Sequence, residues 1–446
     1  MRNRAHDYSV YEEMLVLIEK PADMHLWLSG SERKKLMRTI GVTARGIRAP
    51  MIKPGDDITK IVTEAVLTAT SEEGFTLNDR DVIGVTEAVV ARAQGNYANS
   101  AQIAADVRGK YPDGTLAITF PILSRNRFSN ILKGIARGCD KLYIMLSYPS
   151  DEVGNRFISL DLLDQAGVNP YTDVLTEKMF REKFGHETKH VFTHMDYIDY
   201  YKSFAEKDGQ IEIIFANDVR NALTFTKNVL CCDIHTRFRS QRLLKEAGAE
   251  IVFGLGDILS RSVDGSGYNE AYGLLGSNKS TEDSVKLFPR DCENVVNEIA
   301  RKLHAATGRE IEVMVYGDGA FKDPVGGIWE LADPVVSPAY TKGLTGTPDE
   351  IKLKFLLDTE FAGKSEDEIK TAIKNAKKSN EEKTSGGRNG LNAGTEDINT
   401  PKNAAIGTTP RRYTDLLGSL CDLMSGSGDK GTPIVLIQGY FDNIAS

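Results

Sequence analysis

Apolar and polar positions alternate along this chain in two textures. Tyr8, Tyr11, Met14, Leu15 and Ile18 recur at helical spacing, with a break at Pro21-Ala22-Asp23, which predicts a helical preamble over residues 1–40. An extended apolar segment follows Gly46 and runs into Pro50-Met51-Ile52. A Pro-Gly turn and the acidic pair Asp56-Asp57 then mark a helix start. DVIGVT, from Asp81 to Thr86, predicts a short buried strand leading into a helix that carries Arg92. From Ala101 to Arg261 the texture changes. TLAITFP, KLYIMLSYP, IEIIFAND, NVLCCDIH and AEIVFGLGD read as strands, and NRFSNILKGIARG and RFRSQRLLKEAGA as helices between them. Strands alternating with helices predict parallel pairing in an α/β sheet. Beyond Asp264 come a helix through Ile299 to Leu303, a strand EVMVYGD ending in Asp318, and a closing helix, Gly-rich loop and strand. Residues 363–403, rich in Lys, Glu, Asn and Gly, predict a charged helix followed by a flexible loop.

A chain of 446 residues is too long for one compact core. Its 41% hydrophobic and 26% charged content is that of a water-soluble globular protein. A net charge of −8 disfavours a general nucleic-acid binder, which needs a basic face to displace counterions. Five cysteines, two of them adjacent at Cys231 and Cys232, form neither a disulfide framework nor a CxxC pair. A reducing cytoplasm is the expected setting. No apolar run reaches membrane-span length, and the N-terminus does not read as a signal peptide. No membrane partner is expected.

The stretch from Gly46 to Asn96 brings a strand end and two helix starts into one unit. Lys53, Arg92 and free helix N-termini would give it a positive field suited to an anion. The plain alternative is an ordinary strand–turn–helix unit with surface charges. The same stretch resembles the opening of the coenzyme F-420 gamma-glutamyl ligases, through Pro50-Met51-Ile52 before Gly55-Asp56-Asp57 and through Asp81-Val82-Ile83 leading to Ala91-Arg92-Ala93-Gln94-Gly95. The resemblance resumes at Ser277-Asn278, LFP, EVMVYGD and RRYTDLLGSLCDLMSGSGDKGTPIVLIQGY. It covers about half the chain in two blocks, with an inserted segment between them.

The resemblance implies a ligase that uses GTP or ATP and Mg2+ or Mn2+ to join glutamate to a small-molecule acceptor, either F-420-0-like or folate-like. It implies a homodimer as well. Nucleotide contacts fall on Pro50, Met51, Ile52, Thr86, Arg92, Asn278, Ser425, Gly426, Ser427 and Gly428. Asp318 falls on a metal ligand, and Asp318 and Arg92 become the catalytic candidates. Three positions depart from the family pattern. Leu275 stands where a metal-binding Asp is expected, Gly319 replaces a hydroxyl ligand, and Ser427 replaces an acidic one. Glu270 or Asp264 would have to reach in as a substitute ligand, and Asp323 could contribute.

The inserted segment has candidates of its own. His235 and Arg237 follow a buried strand, at the edge where α/β sheets take ligands, and are expected to bind the acceptor. Asp151-Glu152-Val153-Gly154-Asn155 has the same placement. His186, His190 and His194 recur every four residues and would share a face on a continuous helix, though Gly185, Val191 and Thr193 favour a mixed, solvated segment. The expected fold is α/β: a mixed ligase-like core in two parts, 41–100 and 264–446, with an inserted α/β domain, 101–263, of mainly parallel strands. Two other functions stay open. One is a non-catalytic nucleotide-binding protein on the same scaffold. The other is a metal-dependent hydrolase using the inserted domain.

Overall fold

The apolar runs fold into two separate sheets. The computed structural model describes residues 40–156, 158–186, 188–190, 193–317, 321–322, 329–330, 337–346, 361–365, 367–373, 412–425 and 431–442. The chain divides into a unit Met1–Val42 and a unit Thr43–Ser446, and every element below belongs to the second. The helical preamble lies outside the described residues, apart from residue 40. Of the segment 363–403, residues 367–373 are helical.

The first block holds β1 (Thr43–Ile47), α1 (Ile58–Glu73), β2 (Val82–Thr86), α2 (Glu87–Ala93) and β3 (Tyr97–Asn99). The middle holds α3 (Ser100–Lys110), β4 (Thr115–Thr119), α4 (Ser129–Arg137), β5 (Lys141–Leu146), α5 (Leu160–Gln165), β6 (Leu175–Thr176) and α6 (Glu177–Phe184). It continues with α7 (Tyr197–Lys202), β7 (Ile211–Phe215), β8 (Asn228–Cys231), α8 (Arg237–Glu246) and β9 (Ile251–Gly254). The last block holds β10 (Asn278–Lys279), β11 (Ser284–Lys286), α9 (Cys292–Thr307), β12 (Glu312–Tyr316), β13 (Phe321–Lys322), β14 (Trp329–Glu330), β15 (Ala339–Tyr340), α10 (Tyr413–Ser425) and β16 (Ile434–Gln438).

The core sheet has five strands in the order β1-β16-β2-β12-β15. Only β2 and β12 pair in parallel; the other pairs are antiparallel. Side chains alternate between its faces with the period of two that strands impose. Ile83, Val85, Val313, Val315, Ile434 and Leu436 pack on α1 and α9. Val82, Met314, Tyr316, Val435 and Ile437 pack on α10 through Leu417 and Cys421. Gly84 is required here, because a Cβ at that position would collide with the Cys421 sulfur.

The second sheet has six strands in the order β6-β7-β5-β4-β8-β9. Five are parallel, and the short β6 closes one edge antiparallel. Numbered within the segment, the parallel strands lie 3-2-1-4-5 across the sheet, the doubly wound arrangement. Leu116, Ile118, Leu142, Ile144 and Leu230 face α3, α4 and α7. Ala117, Met145, Val229 and Cys231 face α8 on the other side. The fold is α/β, as the alternation predicts.

A small third sheet, β10-β11-β3, joins the blocks. Asn99 lies opposite Ser284, and the Ser100 N–H donates to the Asp283 carbonyl at 3.0 Å. The β10–β11 hairpin rests on α4. Asn130 donates to the Thr281 and Ser284 carbonyls, and Lys133 and Arg137 pair with Asp283. Leu274, Leu275, Val285 and Leu287 share the apolar cluster of the six-stranded sheet, so that core takes in residues from beyond its last strand.

Candidate functional site

Strand direction decides which loops meet. β1, β2 and β12 run the same way, and β16 runs against them. Ile47 lies opposite Ile434, Ile434 opposite Val85, and Thr86 opposite Tyr316. One edge of the core sheet therefore collects the residues after β1, the start of α2, the residues after β12 and those before β16. The Thr86 N–H donates to the Pro433 carbonyl at 3.0 Å, the Ala49 N–H to the Gly431 carbonyl at 3.2 Å, and the Gly55 N–H to the Ala93 carbonyl at 2.8 Å. Thr432 Oγ1 donates to the Ser425 carbonyl at 2.9 Å, closing the base of the loop between them. The structure thus gathers Pro50, Met51, Ile52, Thr86 and Ser425 with the end of β12. Met51 is exposed, and Ile52 is buried under the turn. Gly426, Ser427, Gly428, Asp318, Gly319 and Asp323 lie outside the described residues.

Arg92 is exposed on α2, and among the described residues its guanidinium has no hydrogen bond or ion pair. Of the expected free helix N-termini, that of α2 takes no side-chain cap, whereas that of α1 is capped. Asp57 caps α1, accepting from the Lys60 N–H at 3.0 Å, and Asp56 accepts from the Lys53 N–H at 2.7 Å. That capping bond holds the Asp57 carboxyl below its ordinary range, with the Thr59 hydroxyl adding to it. The acidic pair is thus a helix-capping turn that satisfies the donors an anion would need. The N-terminus of α2 carries Glu87, which is 2% exposed.

Glu87 stands at this edge and was not singled out in sequence. Its Oε1 accepts from Lys286 Nζ at 3.1 Å, and both side chains are nearly buried. The signal was present, because Glu87, Val90 and Ala91 fall on one helical stripe. The partner was not legible, since it lies 199 residues away. Lys286 ties this edge to Asn278, which stands opposite it in the β10–β11 pair. The Asn278 Oδ1 accepts from Arg127 Nη1 at 3.0 Å. Asn96 holds the same region. Its Nδ2 donates to the Tyr268 and Phe288 carbonyls, and its Oδ1 accepts from the Tyr268 N–H.

Leu275 is 5% exposed and lies against Ile122, Phe128, Ile234 and Leu255 beside a cavity of about 30 Å³. The position where the resemblance expects a metal-binding Asp is an apolar seam that seals the end of the six-stranded sheet. Glu270 is exposed and lines a cavity of about 360 Å³ with Tyr268, Arg290 and Asp291. Among the described residues no group of three His, Cys, Asp or Glu side chains is arranged to hold a metal ion.

In the six-stranded sheet the strand order reverses between β4 and β8, and their C-terminal ends define the switch point at which such sheets take ligands. His235 and Arg237 follow β8 there. Glu152, from the loop after β5, reaches across to accept from the Ile234 and His235 N–H groups. Burial raises the Glu152 carboxyl despite those bonds. Asp233 is buried and accepts from the Thr236 and Ser240 hydroxyls. The His235 imidazole is lowered by desolvation and by the Arg237 charge. Arg237 donates to the Ile234 carbonyl and lies over the Phe238 ring at 4.5 Å. Asp151 and Asn155 are inward-facing: Asp151 accepts from the Leu123 N–H and from Asn155 Nδ2. The three spaced histidines do not converge. His186 and His194 are exposed, while His190 is buried, bonded to Asn155 Oδ1 at 3.0 Å and accepting from the Thr193 N–H. No helix continues beyond Gly185 to align them.

A family model described as F420-0:Gamma-glutamyl ligase matches residues 46–439, spanning both blocks and the segment between them. No curated protein matches the chain. No described helix is long and apolar enough to cross a membrane.

Proposed function

This chain belongs to the F420-0:gamma-glutamyl ligase family, and we propose that it joins glutamate, or a similar amino acid, to a small-molecule acceptor at the expense of GTP or ATP. The observation that supports this reading is the gathering of four distant stretches at one edge of the core sheet: the Pro50 segment, Thr86 with α2, the end of β12, and the base of the 425–432 loop. In this reading Arg92 meets phosphate with a planar fork of donors. Asn278 adds a hydrogen bond to the nucleotide. Asp318 follows β12 and takes part in holding Mg2+ or Mn2+, which supplies charge neutralisation on the phosphates. Catalysis of this class rests mainly on positioning the reactants and stabilising charge.

The acceptor is assigned to the inserted segment, at the switch point of the six-stranded sheet, with His235 and Arg237 as its contacts. The chemistry of the core leaves the acceptor open between F-420-0-like and folate-like molecules. A homodimer and a cytoplasmic setting belong to the same proposal; all five cysteines are unpaired and buried. The test is incubation with GTP or ATP, Mg2+ or Mn2+, glutamate and a panel of acceptors, with mass spectrometry for a glutamate adduct. Adduct formation that Asp318→Asn abolishes supports the proposal; an adduct made at the normal rate by that variant removes Asp318 from the centre. One observation favours a second reading. Leu275 fills an apolar seam where the resemblance expects a carboxylate, which suits a protein that binds nucleotide without turning it over. Nucleotide binding with no adduct and no nucleotide hydrolysis across the panel would select that reading.

A further inference from the structure

We infer that Arg127, contributed by the inserted segment, is a positioning residue that fixes the Asn278 carboxamide so that it faces a ligand only as a hydrogen-bond donor. The inference rests on the proposed role of Asn278 as a nucleotide contact.

Arg127 lies in the turn between β4 and α4, and its own backbone is fixed by its N–H donating to Ser124 Oγ at 3.1 Å. The neighbouring residues are joined main chain to main chain: the Lys279 N–H donates to the Asn126 carbonyl at 2.8 Å. The hairpin that carries Asn278 is held on its other side by Asn130, Lys133 and Arg137 of α4. The hairpin of the core and the turn before α4 are therefore tied together. Within that frame, Arg127 Nη1 meets Asn278 at 3.0 Å. A guanidinium carries donors and no acceptor, so the atom facing it must be the amide oxygen. The two N–H bonds of Asn278 Nδ2 are left to point away from Arg127, and no protein partner takes them among the described residues. A ligand atom that meets them must be an acceptor: a phosphate oxygen, a carbonyl, or a ring nitrogen with a lone pair. Without Arg127 the amide can turn over and present its oxygen, which repels all three.

This assigns the inserted segment a second task. Besides offering its own crevice, it completes the nucleotide side of the core. The hairpin pairs at only two positions, Asn278 with Lys286 and Lys279 with Val285, so its own ladder is too short to hold a side chain in one orientation.

The experiment is calorimetric titration of the full chain with GTP and with ATP, with thermal unfolding of each variant alongside. Arg127→Ala should weaken nucleotide affinity about tenfold, and Arg127→Lys, which still offers a donor to the oxygen, should recover much of that loss. Asn278→Asp separates structure from binding. It gives Arg127 a carboxylate, so its melting temperature should hold or rise, yet it has no donor left and should lose affinity by at least as much as Arg127→Ala. Wild-type affinity in Asn278→Asp, or affinity within twofold of wild type in Arg127→Ala, overturns the inference. If Arg127→Ala does not fold, the lysine and aspartate variants decide it by the same criteria. Wild-type protein that binds neither nucleotide overturns the functional reading itself, whereas wild-type binding with insensitive variants overturns only the role of Arg127.

Discussion

Glu87 stands one residue past β2, where the chain turns from a buried strand into a helix, and its carboxylate is taken out of water against Lys286. Removing one member of such a pair takes an opposite charge away from the other in a poorly solvated place. Lys286→Met should therefore cost about 3 kcal/mol of stability, and Glu87→Gln added to it should recover most of that, as read by urea denaturation of the two variants. Arg92 is the opposite case. It is exposed and holds no protein partner among the described residues, so Arg92→Ala should leave the melting temperature alone. The same change should weaken GTP or ATP binding by about 1.5–3 kcal/mol, the worth of a charge-assisted hydrogen bond. Unchanged nucleotide affinity in calorimetry would take Arg92 out of the site. A side chain that gains nothing for the fold is free to be kept for a ligand.

Among the elements, α1 shows how a motif can carry two meanings. Gly55-Asp56-Asp57 reads as an anion-holding turn in sequence, yet its carboxylates accept from Lys53 and Lys60. The Asp57 carboxyl is lowered in the folded chain, chiefly by the Lys60 N–H. Its stabilising contribution is thus present above the ordinary carboxylate range and is lost as pH falls through the lowered value. Asp57→Ala should cost about 1 kcal/mol near neutrality, and the gap to the wild type should close in strongly acidic solution, as followed by denaturation at both pH values. The loops after β5 and β8 make the second case. Replacing His235 and Arg237 together should lower turnover while nucleotide affinity persists; a parallel loss of nucleotide binding would place them in the wrong site. The strands themselves were legible, because DVIGVT, KLYIMLSYP and NVLCCDIH are apolar runs bounded by polar residues. The Glu152 bridge to Ile234 and His235 was not legible, since it joins loops that only the sheet order brings side by side.

At the scale of the whole molecule, the family match runs through the middle stretch without a break, and the alternating strands and helices of that stretch could be read from texture. The seam could not. Leu275 looks like a lost ligand in sequence and is a buried side chain in the fold, lining a small cavity with Ile122, Ile234 and Leu255. Its role depends on contacts with residues from three other stretches, and no local pattern encodes them. The order of the core strands has a consequence for the chain as it is made. The six-stranded sheet is built from residues 115–254 alone, all of them made before the last strand of the core sheet. The core sheet is different: its first strand and its second are joined only by its last, β16, which sits between them. A chain leaving the ribosome can complete the middle sheet while β1 and β2 still lack the strand between them, and the core closes only when residues 434–438 emerge. Loss of the C-terminal residues back through β16 would therefore detach β1 from the sheet, leaving the strand that leads into Pro50 with no neighbour to lie against.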